Sequence, residues 1–213
     1  MSTPHLTEDK APEKETVRVR VDNRPEQIIR IATRLFARRG YEGTSLRDIA
    51  DEAKITKAAL YYHFPNKEAL YQRIVLDALR ALIETVRAAI EAAPTPIEKV
   101  RQFMLVSADI LESDRDQWMA GSNIFWTVGE SEYRTLNIAL RNEYEALLRS
   151  CIADAIKVGQ FRPSNVAMTS RLFLSLLSHL SRWHNPKGAM SPREVVEQYL
   201  DMSFQGLQPR MAD

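Results

Sequence analysis

The residues with most to offer chemically in this 213-residue chain lie close together: Thr56, Lys57, Ala58, Tyr61, Tyr62 and His63, with Thr44 and Ser45 before them and Lys67 after. The hydroxyls of Thr44, Ser45 and Tyr62, the imidazole of His63 and the ammonium of Lys67 can hydrogen-bond phosphate oxygens. Tyr61, with Thr56, Lys57 and Ala58, offers the mixed polar and apolar contact that base edges in a DNA major groove accept.

Catalytic chemistry finds no comparable cluster. His5, His63, His179 and His184 show no paired metal-ligand spacing, and the five-residue step from His179 to His184 puts them on different helix faces. There is no glycine-rich phosphate loop and no nucleophile beside a plausible base. Neither an enzyme nor a bound cofactor is expected. The single cysteine, Cys151, lies in the apolar run Leu147, Leu148, Cys151, Ile152 and reads as a small buried hydrophobe; one cysteine cannot form an internal disulfide, which suits a reducing cytoplasm.

The elements that must position the polar cluster can be read from spacing. Leu46, Ile49, Ala50 and Ala53 fall at i, i+3, i+4 and i+7, one buried face of a helix that Thr44 or Ser45 would cap. Lys54, Ile55 and Thr56 interrupt the period, and Thr56 caps a short helix with Ala59, Leu60 and Phe64 inward and Lys57, Ala58, Tyr61 and Tyr62 outward. Pro65 and Asn66 close it, Asn66 capping a longer helix from Lys67. Before this unit, Pro25 opens a helix with Ile28, Ile29, Ala32, Leu35 and Phe36 on one side and Arg30, Arg34, Arg38 and Arg39 on the other, ending at Gly40. The predicted unit is a three-helix domain containing a helix-turn-helix, a shape used for DNA and for packing alike.

The pattern Ile31-Ala32-x-x-Leu35-Phe36-x-x-x-Gly40-Tyr41-x-x-Thr44-Ser45-x-x-Asp48-Ile49-Ala50, then Ala53-x-Ile55-Thr56-Lys57-Ala58-x-Leu60-Tyr61-Tyr62-His63-Phe64-x-Asn66-Lys67-Glu68-x-Leu70, resembles the DNA-binding domain of the TetR family of bacterial transcriptional repressors. The resemblance implies a double-stranded DNA operator as partner, a bacterial cytoplasmic setting, and Arg47 on the DNA side. One departure is Lys54, where the family often has glycine; a left-handed Lys there costs roughly 1 kcal/mol.

Composition sets the class around this unit. With 45% hydrophobic and 27% charged residues and only 7 glycines, the chain reads as globular and all-α. The net charge of +1 makes DNA binding a matter of where charges lie. No apolar run approaches the roughly 20 residues of a membrane span, and no signal peptide is legible. The domains expected are a disordered arm over 1–23, which with the adjoining Arg24 is either a solvated tail or reaches a minor groove through Arg18, Arg20 and Arg24; a DNA-binding domain over 24–70; and a helical bundle for ligand binding and dimerisation over 71–213.

In that bundle, Met104, Trp118 and Trp126 are expected to line a cavity with the polar groups Asn123, Arg141, Tyr144 and Arg171. The last two helices carry Leu172, Leu176, His179, Leu180, Val195, Tyr199 and Met202, more apolar surface than one packed side requires. A twofold homodimer would bury it, and the resemblance implies the same. The stretch Leu174 to Trp183, with Asn185-Pro186 and Met190-Ser191-Pro192-Arg193-Glu194, looks like the C-terminal region of TetR-type regulators of fatty-acid and steroid breakdown. That implies an acyl-CoA effector whose nucleotide meets Arg171, Arg182 and Trp183. A smaller aromatic or multidrug-like ligand is the competing expectation.

Overall fold

Side-chain caps decide where the helices start. In the computed structural model, which describes residues 24–116, 118 and 132–207, helix α1 spans Arg24–Arg39, α2 Leu46–Glu52, α3 Lys57–His63 and α4 Lys67–Ala92. Ser45, Thr56 and Asn66 cap the last three by accepting from the backbone N–H of Asp48, Ala59 and Ala69. Ser45 and Asp48 form a full capping box. The larger unit follows as α5 (Pro96–Ser113), α6 (Glu132–Lys157), α7 (Val166–Trp183) and α8 (Pro192–Leu207), and no strand occurs among the described residues. Thr95 and Asn165 cap α5 and α7, while Ser191 and Glu194 exchange capping-box bonds at the start of α8.

The turn between α2 and α3 carries the one non-glycine residue with positive φ among those described, Lys54 at φ 54°. The Ile55 N–H reaches back to the Ala50 carbonyl and the Lys54 N–H to that of Asp51, the paired bonds of a Schellman motif. Gly159 (φ 75°) ends α6 with the same pattern through Gln160 to Ala155. Lys54 therefore stands where glycine is the unstrained choice.

Two apolar cores form. In the small unit, Ile28, Ala32, Leu35 and Phe36 of α1 meet Ile49 of α2, Leu60 of α3 and Phe64, and the core continues into α4 through Leu70, Tyr71, Ile74 and Val75. It thus extends past the boundary expected at residue 70. Ala59, expected inward, is exposed, the α3 segment turning Leu60 and Phe64 into the core instead. The second core joins α4 to α8 around Val86, Val100, Phe103, Met104, Leu148, Phe173, Val196 and Phe204. Helix α4 belongs to both; its 26 residues span about 39 Å. Residues 1–23, including the arm's Arg18 and Arg20, lie outside the described residues, as do Asn123 and Trp126.

Candidate functional site

The small unit presents one polar, aromatic face. On α3, Lys57, Ala58 and Tyr61 are exposed and Tyr62 is 86% exposed, while Leu60 on the opposite side is fully buried. The Lys57 ammonium stands 5.7 Å from the Tyr61 ring centroid, and Tyr62 meets His63 edge-on. Arg47 on α2 is highly exposed and only loosely paired with Asp51 at 3.8 Å. Ser45 is exposed with its hydroxyl engaged to Asp48, and Thr56 is exposed with its hydroxyl at the α3 cap.

Two expected phosphate contacts are placed otherwise. Thr44 is 1% exposed, and its hydroxyl lies within hydrogen-bond distance of the Gly40 carbonyl at 2.9 Å and the Leu35 carbonyl at 3.3 Å. It ties the end of α1 to the start of α2. Lys67 is half-buried, donates to the Tyr41 carbonyl at 2.9 Å and sits 4.1 Å from the Tyr41 ring centroid, so it holds the α1–α2 connection rather than standing free toward solvent. Burial, and then Glu68 and Glu42, raise the pKa of that Tyr41 phenol.

In the large unit a cavity of about 480 Å³ opens between α4, α5, α6 and α7. Its walls are Val75, Ala78, Leu79, Ala81, Leu82 and Thr85 from α4; Ile110 and Ser113 from α5; Arg141, Tyr144 and Glu145 from α6; Leu174, Leu177 and Ser178 from α7; and Asp114 and Trp118. The size suits a small ligand, and apolar walls with a few polar groups are the usual composition of such a site. Ser107 donates its one proton to the Phe103 carbonyl at 2.7 Å, so the Tyr144 hydroxyl, 2.6 Å away, is the donor to Ser107. Burial pushes the Tyr144 phenol well above its ordinary pKa. Arg141 donates through Nε to Asn137 Oδ1 at 2.9 Å, and desolvation lowers its pKa although Tyr133 and Tyr71 act against the shift.

Of the ligand residues expected, Trp118, Arg141 and Tyr144 meet at this cavity. Met104 does not: it is fully buried in the core, because α5 turns its 100, 104, 108 and 111 stripe toward its neighbours and leaves Ile110 to the cavity. Arg171 and Trp183 are exposed on α7, on turns away from the cavity-lining Leu174, Leu177 and Ser178. The α4 wall was not foreseen. Its only sequence signal is the pair of small residues Ala78 and Ala81, which leave room beside an otherwise bulky helix face.

The outer face of α7 and α8 leaves Met168, Leu172 (50% exposed), Trp183 and Met202 (63% exposed) uncovered, with His179 exposed and Leu176 and Tyr199 half-buried. Leu180 and Val195, expected on the same surface, are buried in the subunit core. The antiparallel α7–α8 pairing itself needs them. Cys151 is buried and its thiol is pushed up to about 11, chiefly by burial, so it is inert at neutral pH. Among the described residues no group of His, Cys, Asp and Glu side chains is arranged to hold a metal, and no helix is long and apolar enough to cross a membrane.

Comparison with known families decides the framework. Residues 28–74 match the model for bacterial regulatory proteins of the tetR family, and residues 93–207 match the tetracyclin repressor-like C-terminal domain. The chain belongs to the TetR family of transcriptional regulators. A solved TetR family regulator from Thermus thermophilus, PfmR, is 35% identical with a TM-score of 0.79, covering 85% of this chain and 99% of that one. The transcriptional repressor KstR2 of Mycolicibacterium smegmatis is 27% identical over 90% of this chain and 94% of its own length. AibR, solved in complex with isovaleryl coenzyme A and operator DNA, is 27% identical with a TM-score of 0.75, over 88% of this chain and all of that one. The curated relatives are transcriptional regulators, and the face of α3 is the helix-turn-helix surface of a TetR-family protein.

Proposed function

We propose that this TetR-family protein is a homodimeric repressor that binds a near-palindromic operator through α3 and releases it when a small effector occupies the α4–α7 cavity. The observation that carries the switch is a shared wall: Val75 belongs to the small-unit core and Leu79 packs against it, while both line the cavity. A ligand that moves them moves the base of the DNA-reading unit, and α4 is continuous across both. The two α3 helices of a dimer match successive major grooves only at one separation, so a small rotation suffices. An effector releases DNA only if it binds the incompetent state more tightly.

An acyl-CoA thioester is the proposed effector class. AibR, similar over most of the chain, has been solved with such a ligand. In this chain the apolar walls suit an acyl group, while Arg171 and Arg182 stand exposed on α7 at positions i−3 from Leu174 and i+4 from Ser178, one turn beyond the lining stripe on either side. They are the basic groups nearest in sequence on α7 for nucleotide phosphates outside the cavity. A small aromatic or multidrug-like ligand is the second reading, favoured by the fact that Arg171 and Trp183 do not line the cavity.

The test is a gel shift on DNA retained by the protein, titrated with isovaleryl-CoA, longer acyl-CoAs, free CoA and small aromatic compounds. An acyl-CoA should lower DNA affinity and raise Tm, and Ala78→Trp, which fills the cavity, should abolish both effects. A rise in Tm without loss of DNA affinity would sink the switch. Release by the aromatic compounds alone would replace the first effector class with the second.

A further inference from the structure

Helix α6 holds a polar residue where packing alone calls for an apolar one. Asn137 is 4% exposed, and a buried amide is costly unless both its ends are hydrogen-bonded. Both are. Arg141 Nε donates to Asn137 Oδ1 at 2.9 Å, and Asn137 Nδ2 donates to the Tyr133 hydroxyl at 3.3 Å. The direction is forced, since a guanidinium has no acceptor and the amide oxygen must therefore face it. Tyr133, Asn137 and Arg141 are spaced i, i+4 and i+8, so the three side chains stack along one face of α6.

The two ends of this ladder stand in different parts of the molecule. Arg141 lines the cavity, whereas Tyr133 packs against the core of the DNA-reading unit. Burial chiefly raises the pKa of the Tyr71 phenol in that core, and Tyr133 and Arg141 both stand near enough to act on it, the first adding to the shift and the second opposing it. Tyr71 in turn meets the rings of Phe36 and Tyr41 edge-on, at 5.3 and 5.0 Å between centroids, which connects it to the end of α1 and the start of the helix-turn-helix.

We propose that Asn137 and Tyr133 are positioning residues for the switch: with Arg141 they form a hydrogen-bonded ladder along α6 that transmits cavity occupancy to the DNA-reading unit, beside the α4 route. A cavity occupant that offers an acceptor oxygen to Arg141 draws the guanidinium from Asn137, the amide loses its orienting donor, and Tyr133 is freed to shift against the small core. This rests on the reading of the cavity as the effector site.

The ladder can be tested without knowing the effector, by breaking it from either end. Operator affinity is measured by fluorescence anisotropy, well below Tm, on a DNA fragment that the wild-type protein retains from sheared genomic DNA. The variants are Arg141→Met, Asn137→Leu, Tyr133→Phe and the Arg141→Met/Tyr133→Phe double. Each single change should move affinity in the same direction by about fivefold or more. The double should move it no further than the larger single change, because either one already interrupts the ladder. A purely structural role lowers Tm and leaves affinity alone. Affinity within about twofold of wild type in folded Asn137→Leu and Tyr133→Phe overturns the proposal, as do additive effects in the double variant. Tyr133→Phe removes one oxygen and keeps the ring, so it decides the matter if Asn137→Leu fails to fold. If the wild-type protein retains no DNA, the repressor reading fails on its own. The ladder is then judged by amide hydrogen exchange in α1 to α3: altered rates in Tyr133→Phe support it and unchanged rates overturn it.

Discussion

Tyr61 and Lys57 stand together on the exposed side of α3, and among the described residues the contact recorded for them is with each other, at cation–π distance. Tyr61→Ala or Lys57→Ala should therefore weaken operator binding by about tenfold or more while leaving Tm unchanged, a gel shift and a melting curve being the two measurements. Ser45 is different, since its hydroxyl is already committed to the α2 capping box. Ser45→Ala should cost about 1 kcal/mol of stability, seen as a lower Tm. The same residue is the main reason, through its side chain and then its backbone N–H, that the Asp48 carboxyl titrates below its ordinary range. A folded-state pKa below the unfolded value of about 3.9 gives a contribution complete at neutral pH that is lost as pH falls through the folded value. The gap in Tm between wild type and Ser45→Ala should thus be widest near neutrality and narrow in strong acid, leaving the part due to the Asp48 N–H bond to Ser45 Oγ, which does not titrate. The outward placement of Lys57 and Tyr61 and the cap at Ser45 were legible from type and spacing. Thr44 and Lys67 were not, because a hydroxyl or ammonium beside a DNA-binding helix looks the same in sequence whether it faces phosphate or folds back on a backbone carbonyl, as both do here.

At the scale of elements, the α2–α3 turn holds a left-handed lysine at φ 54°. Lys54→Gly relieves the steric cost of that conformation and should stabilise the protein by up to about 0.5 kcal/mol after the added freedom of the unfolded chain is counted. For a chain of this size that is a rise in Tm of roughly 2–4 °C per kcal/mol, measurable by calorimetry. Helix α4 is the element whose role depends most on context. Its cap at Asn66 and its end at Ala92 were readable from sequence, since Asn66, Pro94 and Pro96 act locally. That Val75 and Leu79 serve a core on one side and a cavity on the other was not. An apolar residue in a helix reports that something apolar will cover it, and does not report what.

For the whole molecule, large apolar side chains are left uncovered on several helices, and Met168, Leu172, Trp183 and Met202 are those on α7 and α8, with Leu172 half exposed and Met202 more so. A twofold pairing of this face would bury them and set the spacing of two α3 helices. Leu172→Glu places a charge on that face, within the proposed twofold contact. It should convert the dimer to monomer in sedimentation experiments and lower operator affinity steeply, with little change in helicity. A protein that remains dimeric after this change assigns the interface elsewhere. If α3 reads the operator as proposed, binding to DNA should also weaken sharply as salt is raised, the net charge of +1 notwithstanding, because phosphates would then face exposed basic groups such as Arg47 and Lys57 rather than the chain average.

What the amino-acid sequence by itself determined was whatever depends on neighbours a few residues away. Helix starts at Ser45, Thr56 and Asn66, the strained Lys54, the inward stripe of α1 and the outward stripe of α3 are of this kind. Periodicity and capping act within one or two turns, so they can be read without a fold. The tertiary structure decided how surplus apolar and polar groups are divided between core, cavity and outer face. Met104 and Leu111 went to the core while Ile110 went to the cavity wall; Leu180 and Val195 were buried while Leu172 and Met202 were left outside. Asn137 shows the reason most plainly. Nothing in its sequence surroundings marks it, and only the approach of α4 and the small core to α6 turns an ordinary helical asparagine into the buried middle of a ladder between Arg141 and Tyr133.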